Sequence, residues 1–170
     1  AADTLEQFCE EFPFTLFGDV ILFDDASTDE TVKIARKLGL EVYTNSTNLG
    51  YGGNIKVAIK TVLSQGADII VDIHPDGEYG VSTVTDGILK IKNGADLVLG
   101  NRFRSRKGPL RSGMFVWKYV AIVILNSLHS MVLGTRKIDF HTGFRVYSRN
   151  LFESVKFEEN SNSFLFSFEL

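Results

Sequence analysis

Short apolar runs alternate along this chain with stretches of helical period, and that alternation sets the class of fold open to it. Residues 19–24, 40–44, 68–73 and 96–100 read as buried strands bounded by turn residues. Between them, residues 29–38, 53–65 and 81–93 carry apolar side chains at helical spacing. Ser27-Thr28-Asp29-Glu30 has the form of a capping box, with Ser27 accepting from the amide three residues on and Glu30 reaching back. Repeated strand–helix units predict an α/β sandwich with a mostly parallel sheet and helices on both faces. Downstream, residues 113–133 form a long apolar helical candidate. Residues 139–147 are strand-like, 149–155 a short helix and 164–168 an apolar end. Without repeats or linkers, residues 1–170 read as one domain.

In open α/β sheets, ligands bind outside the carboxyl ends of the strands. The polar clusters of this chain fall at those ends. Asp24-Asp25 follows one strand, Asn48-Leu-Gly50-Tyr-Gly-Gly53 the next, His74-Pro-Asp76 the third and Asn101-Arg102 the fourth. Adjacent carboxylates can accept from a base N–H or from ribose hydroxyls, although Asp, Ser and Thr also build turns and caps. The backbone amides of the glycine segment, Gly50 and Gly53 among them, can face an anion at a helix start. No glycine lies three residues after Gly52, so this is not a dinucleotide fingerprint. Asp76 leaves a buried strand on a Pro-Gly turn two residues after His74. A carboxylate on a rigid turn suits a divalent cation that bridges a diphosphate, whereas a lone His–Asp pair is more often a structural hydrogen bond.

Charge sharpens this picture. The net charge of -3 argues against a general nucleic-acid binder, but residues 1–30 hold nine acids and no Lys or Arg. Residues 97–138 hold eight of the 18 basic residues, including Arg102, Arg104, Arg106, Lys107, Arg111 and Lys118, and no acid. One pole suits metal or hydroxyls and the other suits anions, where ordinary runs of this kind are solvated faces. A lone Cys9 excludes a disulfide framework and fits a cytoplasmic setting. The longest apolar run, residues 119–125, is far short of the ~20 residues a spanning helix needs. Trp117, Lys118 and Tyr119 beside that run suit a helix lying at a membrane surface, and a buried core helix is the equal alternative.

Five motifs in order carry a resemblance. Asp-Asp-x-Ser-x-Asp-x-Thr from Asp24, Asn-x-Gly-Tyr-Gly-Gly from Asn48, Ala-Asp-Ile-Ile-Val-Asp-Ile-His-Pro-Asp-Gly-Glu-Tyr from Ala67, Ala-Asp-Leu-Val-Leu-Gly-Asn-Arg-Phe from Ala95, and Asp-Phe-His-Thr-Gly-Phe-Arg from Asp139 together resemble a family 2 glycosyltransferase of the GT-A, Rossmann-like fold. Within it they are similar to the dolichol-phosphate mannosyltransferase and polyprenyl-phosphate glycosyltransferase branch. The resemblance implies inverting, metal-assisted transfer of a hexosyl unit from a UDP- or GDP-sugar to a polyprenyl phosphate or glycan acceptor, at the inner face of a membrane. It implies that Asp24 and Asp25 recognise base and ribose, and that Asp76 binds a divalent Mg or Mn as the second acid of an Asp-x-Asp motif. His74 stands where the first acid usually is. Arg102 faces the diphosphate and the acceptor phosphate, with Lys118 and Arg145 as secondary members of that basic patch. Asp139 and Glu169 are the candidate bases if the acceptor is a hydroxyl.

The family begins with a strand that lies between those at residues 19–24 and 68–73, and this chain opens on the helix after it. The resemblance therefore implies a domain incomplete at both ends. Two rival functions stand beside the transferase. One is a nucleotide-sugar-binding domain with impaired catalysis, which His74 in place of an acid favours. The other is a dinucleotide enzyme, which requires a glycine fingerprint about 20 residues upstream of Asp24.

Overall fold

A computed structural model describes residues 1–75, 81–101, 115–132, 134, 139 and 142–170, with only the backbone of residues 81 and 82. In chain order the elements are α1 (Ala2–Glu11), β1 (Ile21–Asp24), α2 (Thr31–Lys37), β2 (Glu41–Thr44), α3 (Tyr51–Ser64), β3 (Ile69–Ile73), α4 (Val81–Lys92), β4 (Leu97–Leu99), α5 (Val116–Val132), β5 (Phe144–Ser148), α6 (Arg149–Ser154) and α7 (Phe166–Glu169). Single 3-10 turns cover Phe14–Leu16 and Phe157–Glu159. The strands and helices expected from periodicity are all present, with ends moved by at most two residues where the described residues reach them, except that the strand expected from residue 139 begins at Phe144.

Strands β1 and β2 pair in parallel, with Ile21 opposite Glu41 and Asp24 opposite Thr44. The other three strands run β3-β5-β4, and β5 is antiparallel to both neighbours. β3 and β4 therefore run parallel to each other, and the chain's last strand is threaded between them. That insertion is a long-range event with no local signature in the sequence.

Side-chain alternation divides this sheet into two faces. Ile70, Tyr147 and Leu97 share one cross-strand row and pack with Ile55 and Ile59 of α3, Phe152 of α6 and Phe166 of α7. Val71, Val146 and Val98 share the next row and, with Phe144, pack on Val84 and Ile91 of α4. Each fully buried aromatic or branched side chain in these layers contributes about 1.5–3 kcal/mol. Gly87 lets α4 close on the sheet, since a Cβ there would stand 2.8 Å from Val146 Cγ2.

The start of α2 differs from the capping box expected at Ser27. The helix begins at Thr31, whose amide donates to Asp29 Oδ1 at 3.0 Å. The Ser27 amide donates to Asp24 Oδ2, and Glu30 turns outward to Lys33 at 2.6 Å. An Asx turn at Asp29 thus wins, because the two residues that would make the box have nearer partners.

Among the described residues β1 and β3 are not paired with one another. A cavity of about 690 Å³ lies between them, lined by Ile21, Leu22 and Phe23 on one side and by Ile69 to Ile73 on the other. Phe8 of α1 and Phe12, Phe14 and Phe17 beyond it also line this space, with Phe12 and Phe17 stacked at 5.1 Å.

Candidate active site

The polar end of that cavity is where the carboxyl ends of β1 and β3 meet the start of α3. Asp25, Tyr51, Asn54, Asp72 and His74 all line it. Asp24 is buried at the end of β1, and its Oδ2 accepts from the Ser27 amide at 3.1 Å. Asp25 Oδ1 accepts from Asn45 Nδ2 at 3.0 Å and from the Leu49 amide at 2.8 Å. Asn45 Nδ2 also reaches Asn54 Oδ1 at 2.8 Å, and Asn54 Nδ2 donates to the Phe23 carbonyl. This chain of amides ties β1, the end of β2 and α3 into one frame around Asp25. Ala26, directly after it, has φ 58. A left-handed alanine is strained backbone, of the kind held in place at functional turns.

The glycine turn does something other than what its sequence predicts. The Gly52 and Gly53 amides both donate to the Asn162 carbonyl, at 2.8 and 3.3 Å, and the Gly50 amide donates to Asn48 Oδ1. In this structure these amides donate within the protein, to Asn162 and Asn48, at the two positions, Gly50 and Gly53, expected to face an anion. Gly50 has φ 78, and a Cβ there would stand 2.8 Å from the Asn162 carbonyl oxygen. At Gly52 a Cβ would stand 2.7 Å from Phe166 Cβ and 2.8 Å from the Ser163 carbonyl. The glycines let the 161–163 backbone lie directly on the start of α3. Lys56 Nζ fastens that loop further through the Glu158 and Asn160 carbonyls and Asn162 Oδ1.

On the other side of the cavity, the His74 amide donates to the Gly143 carbonyl at 3.0 Å. A side chain at Gly143 would meet the His74 ring, 3.0 Å from Nδ1. Gly143 is thus the residue that lets the imidazole sit over the end of β5. Tyr51 approaches the same ring edge-on at 5.9 Å and stacks on Phe164 at 4.9 Å.

Beneath His74 lies a polar group of Asp72, Arg145 and Tyr51; of these the sequence marks only Arg145 as a candidate, and it marks neither Asn45 nor Asn54 beside Asp25. Asp72 stands opposite Arg145 in the β3–β5 register. Arg145, buried in the sheet, donates from Nη1 to the Tyr51 hydroxyl at 2.7 Å. Burial pushes the Asp72 carboxyl up, against the opposing pull of His74 and Arg145. The Tyr147 hydroxyl is pushed well up by burial and then by Asp72. Burial works to lower the Arg145 pKa, and Tyr147, Tyr51 and Asp72 outweigh it, so the guanidinium stays charged. Asp72 Oδ2 has no hydrogen bond among the described residues. The signal that could have found Asp72 is an acid inside the apolar run Ile-Ile-Val-Asp-Ile, where a lone carboxylate is costly. Asn45 and Asn54 carry no comparable sequence mark.

Of the expected site residues, Asp25 and His74 meet on one cavity, with Asp24 immediately behind. Arg145 faces Tyr51 and Asp72 inside the sheet, and Lys118 is exposed on the first turn of α5. Asp139 is buried against Asn126, and Glu169 accepts from the Ser161 amide. Asp76 and Arg102 lie outside the described residues.

The solved glucosyl-3-phosphoglycerate synthase from Mycobacterium tuberculosis, in complex with Mn2+, UDP and glucosyl-3-phosphoglycerate, aligns with 90% of this chain and 55% of its own at a TM-score of 0.58 and 20% identity. The fold is accordingly of the GT-A type. A dolichyl-phosphate hexose transferase of Haloferax volcanii is 28% identical over 141 residues, covering 81% of this chain and 57% of that protein. A UDP-N-acetylglucosamine–dolichyl-phosphate N-acetylglucosaminyltransferase of Methanococcus voltae is 26% identical over 152 residues, covering 79% and 60%. The chain thus spans little more than half the length of these relatives. The Glycosyl transferase family 2 model matches residues 2–156, nearly the whole chain, and the protein belongs to that family.

Proposed function

We propose that this chain carries the donor-binding region of an enzyme that transfers a hexosyl unit, with inversion, from a UDP- or GDP-sugar to a polyprenyl phosphate or other lipid or glycan acceptor. The observation that carries the reading is the shared cavity. Asp25 at the end of β1 and His74 at the end of β3 line one space in a family 2 fold. The relatives named for dolichyl phosphate support the acceptor class. The synthase solved with UDP and Mn2+ supports the donor class and a metal. Such an acceptor is lipid-borne, and in this reading the work is done at the inner, cytoplasmic face of a membrane.

In this reading Asp25 accepts from base or ribose, and Asp24 shapes the turn that presents it. Arg102 stabilises the charge that develops on the departing nucleotide diphosphate. A phosphate acceptor is already anionic and needs little help from a base, so no role is required of Asp139 or Glu169. Asp76 and His74 hold Mg or Mn, which supplies Lewis acidity at the diphosphate. With Asp76 and His74 as protein ligands, the diphosphate's own oxygens would complete the coordination of such an ion. An imidazole in place of an acid favours manganese over magnesium.

Titrating the protein with UDP-glucose, UDP-N-acetylglucosamine and GDP-mannose, with and without manganese, tests the reading. One donor should bind saturably and more tightly with the metal, and the full-length protein should transfer its sugar to polyprenyl phosphate. Failure to bind any of them overturns the proposal. Binding without transfer or donor hydrolysis would favour the second reading, an impaired binding domain, which His74 in an acid's place motivates.

A further inference from the structure

Helix α5 is inside out. Its inward stripe is Tyr119, Ile122, Asn126, His129 and Ser130, and the two residues buried deepest are polar: Asn126 and Ser130 are each 7% exposed. Asn126 donates to Asp139, and His129 meets Phe168 edge-on at 5.3 Å. The outward face is apolar instead, with Trp117 72%, Ile124 54%, Leu128 50% and Met131 73% exposed. A helix that buries amide and hydroxyl while presenting its branched and aromatic side chains reverses the usual division, and a contiguous apolar face of this kind marks an interaction surface. Phe164 and Leu165, near the α5 neighbour Phe168, are also exposed. Phe164 in turn stacks on Tyr51, which lines the cavity.

Two observations select the occupant. The first is charge. From residue 97 to 138 the chain has eight basic residues and no acid, five of them in the stretch 102–111 just before α5, and Lys118 stands exposed on its first turn. An exposed lysine on an apolar face, in a segment whose sequence is basic and free of acids, complements an anionic lipid surface. The second is length. The described part of α5 is 17 residues, below the ~20 of an ordinary spanning helix, and no described helix is long and apolar enough to cross a bilayer. We infer that the outward face of α5, with Phe164 and Leu165, docks on the surface of an anionic bilayer, α5 lying in the interface plane. The inference deepens the transferase reading by giving the lipid acceptor a route to the Tyr51 side of the cavity, but the docking itself requires neither donor nor acceptor.

Trp117 is the chain's single tryptophan and sits on the proposed face, so it reports directly. Vesicles of phosphatidylcholine, with and without phosphatidylglycerol and without any polyprenyl phosphate, are added to the protein. The expected result is a blue shift of Trp117 emission and co-flotation with the phosphatidylglycerol vesicles, weakened by salt. The paired substitution Ile124→Ser and Leu128→Ser should lower the partition coefficient by about tenfold or more. It should leave the melting temperature unchanged, because both side chains face outward. Several outcomes overturn the inference: no binding to anionic vesicles, binding unaffected by the pair, a wild-type dimer that the pair dissociates, or a pair that destabilises the full-length protein because another part of it covers the face. Transfer to a short-chain, water-soluble prenyl phosphate is read separately, so loss of docking and failure of the transferase reading remain distinct.

Discussion

Asp72 and Arg145 face each other across the β3–β5 ladder, one row from the carboxyl end of β3, and the Arg145 guanidinium passes on to the Tyr51 hydroxyl at the head of α3. This pair joins the last strand to the third and both to the glycine-turn helix, directly beneath His74.

The pair carries a pH dependence. Burial raises the Asp72 carboxyl above its ordinary value of 3.8, so folding favours its protonated form. Stability attached to this group is fully present below that ordinary value and is lost as pH rises through the folded value. Asp72→Asn cannot titrate. Its stability relative to the wild type should therefore increase as pH rises from about 3 toward neutral. Chemical denaturation of both proteins across that range checks the sign; parallel curves would mean that Asp72 titrates normally.

The glycine turn predicts a contrast between two alanine substitutions. Gly52→Ala drives a methyl into the Ser161 and Ser163 carbonyls and Phe166, largely backbone that cannot swing aside. It should destabilise the fold by about 1–3 kcal/mol or more. Gly18→Ala meets nothing within 4 Å and should be neutral or stabilise by a few tenths of a kcal/mol. Comparable losses at both positions would show that the close approach of the 161–163 loop does not matter.

Metal-assisted transfer predicts that Asp76→Asn lowers activity in manganese by about two orders of magnitude, the loss typical of removing one preorganised charge-stabilising contact. His74→Asp should retain or strengthen metal binding, with the preference moved toward magnesium. Wild-type activity in Asp76→Asn removes the metal role from that residue. Complete loss of metal binding in His74→Asp would give the imidazole a task of its own beside Tyr51.

The seam between β1 and β3 predicts a stability difference. Two strand edges face a cavity of about 690 Å³ lined by Phe8, Phe12, Phe14 and Phe17. Each buried backbone group left unpaired costs about 1–3 kcal/mol. We propose that this seam accepts an apolar strand paired with both edges. A form carrying such a strand should melt about 10 °C or more above the 170-residue chain. It should also lose the hydrophobic-dye binding expected of the shorter chain. Equal melting of the two would sink the proposal.

Local pattern alone determined the elements and the edge of the sheet on which the site lies. Apolar runs such as Ile69–Ile73 and helical spacing such as Tyr51–Ser64 are written within a few residues, so the order of strands and helices, and the polar residues at strand ends, were legible. The tertiary structure decided what those residues touch. It placed β5 between β3 and β4, which set Arg145 against Asp72 and drew the acid, Tyr51 and His74 into one group. It gave the amides of Gly52 and Gly53 to Asn162, more than a hundred residues away, where the sequence suggested an anion. It also turned the apolar face of α5 outward. Composition shows a helix's faces but not which face finds a partner, because that depends on Asp139 and Phe168 arriving from elsewhere in the chain.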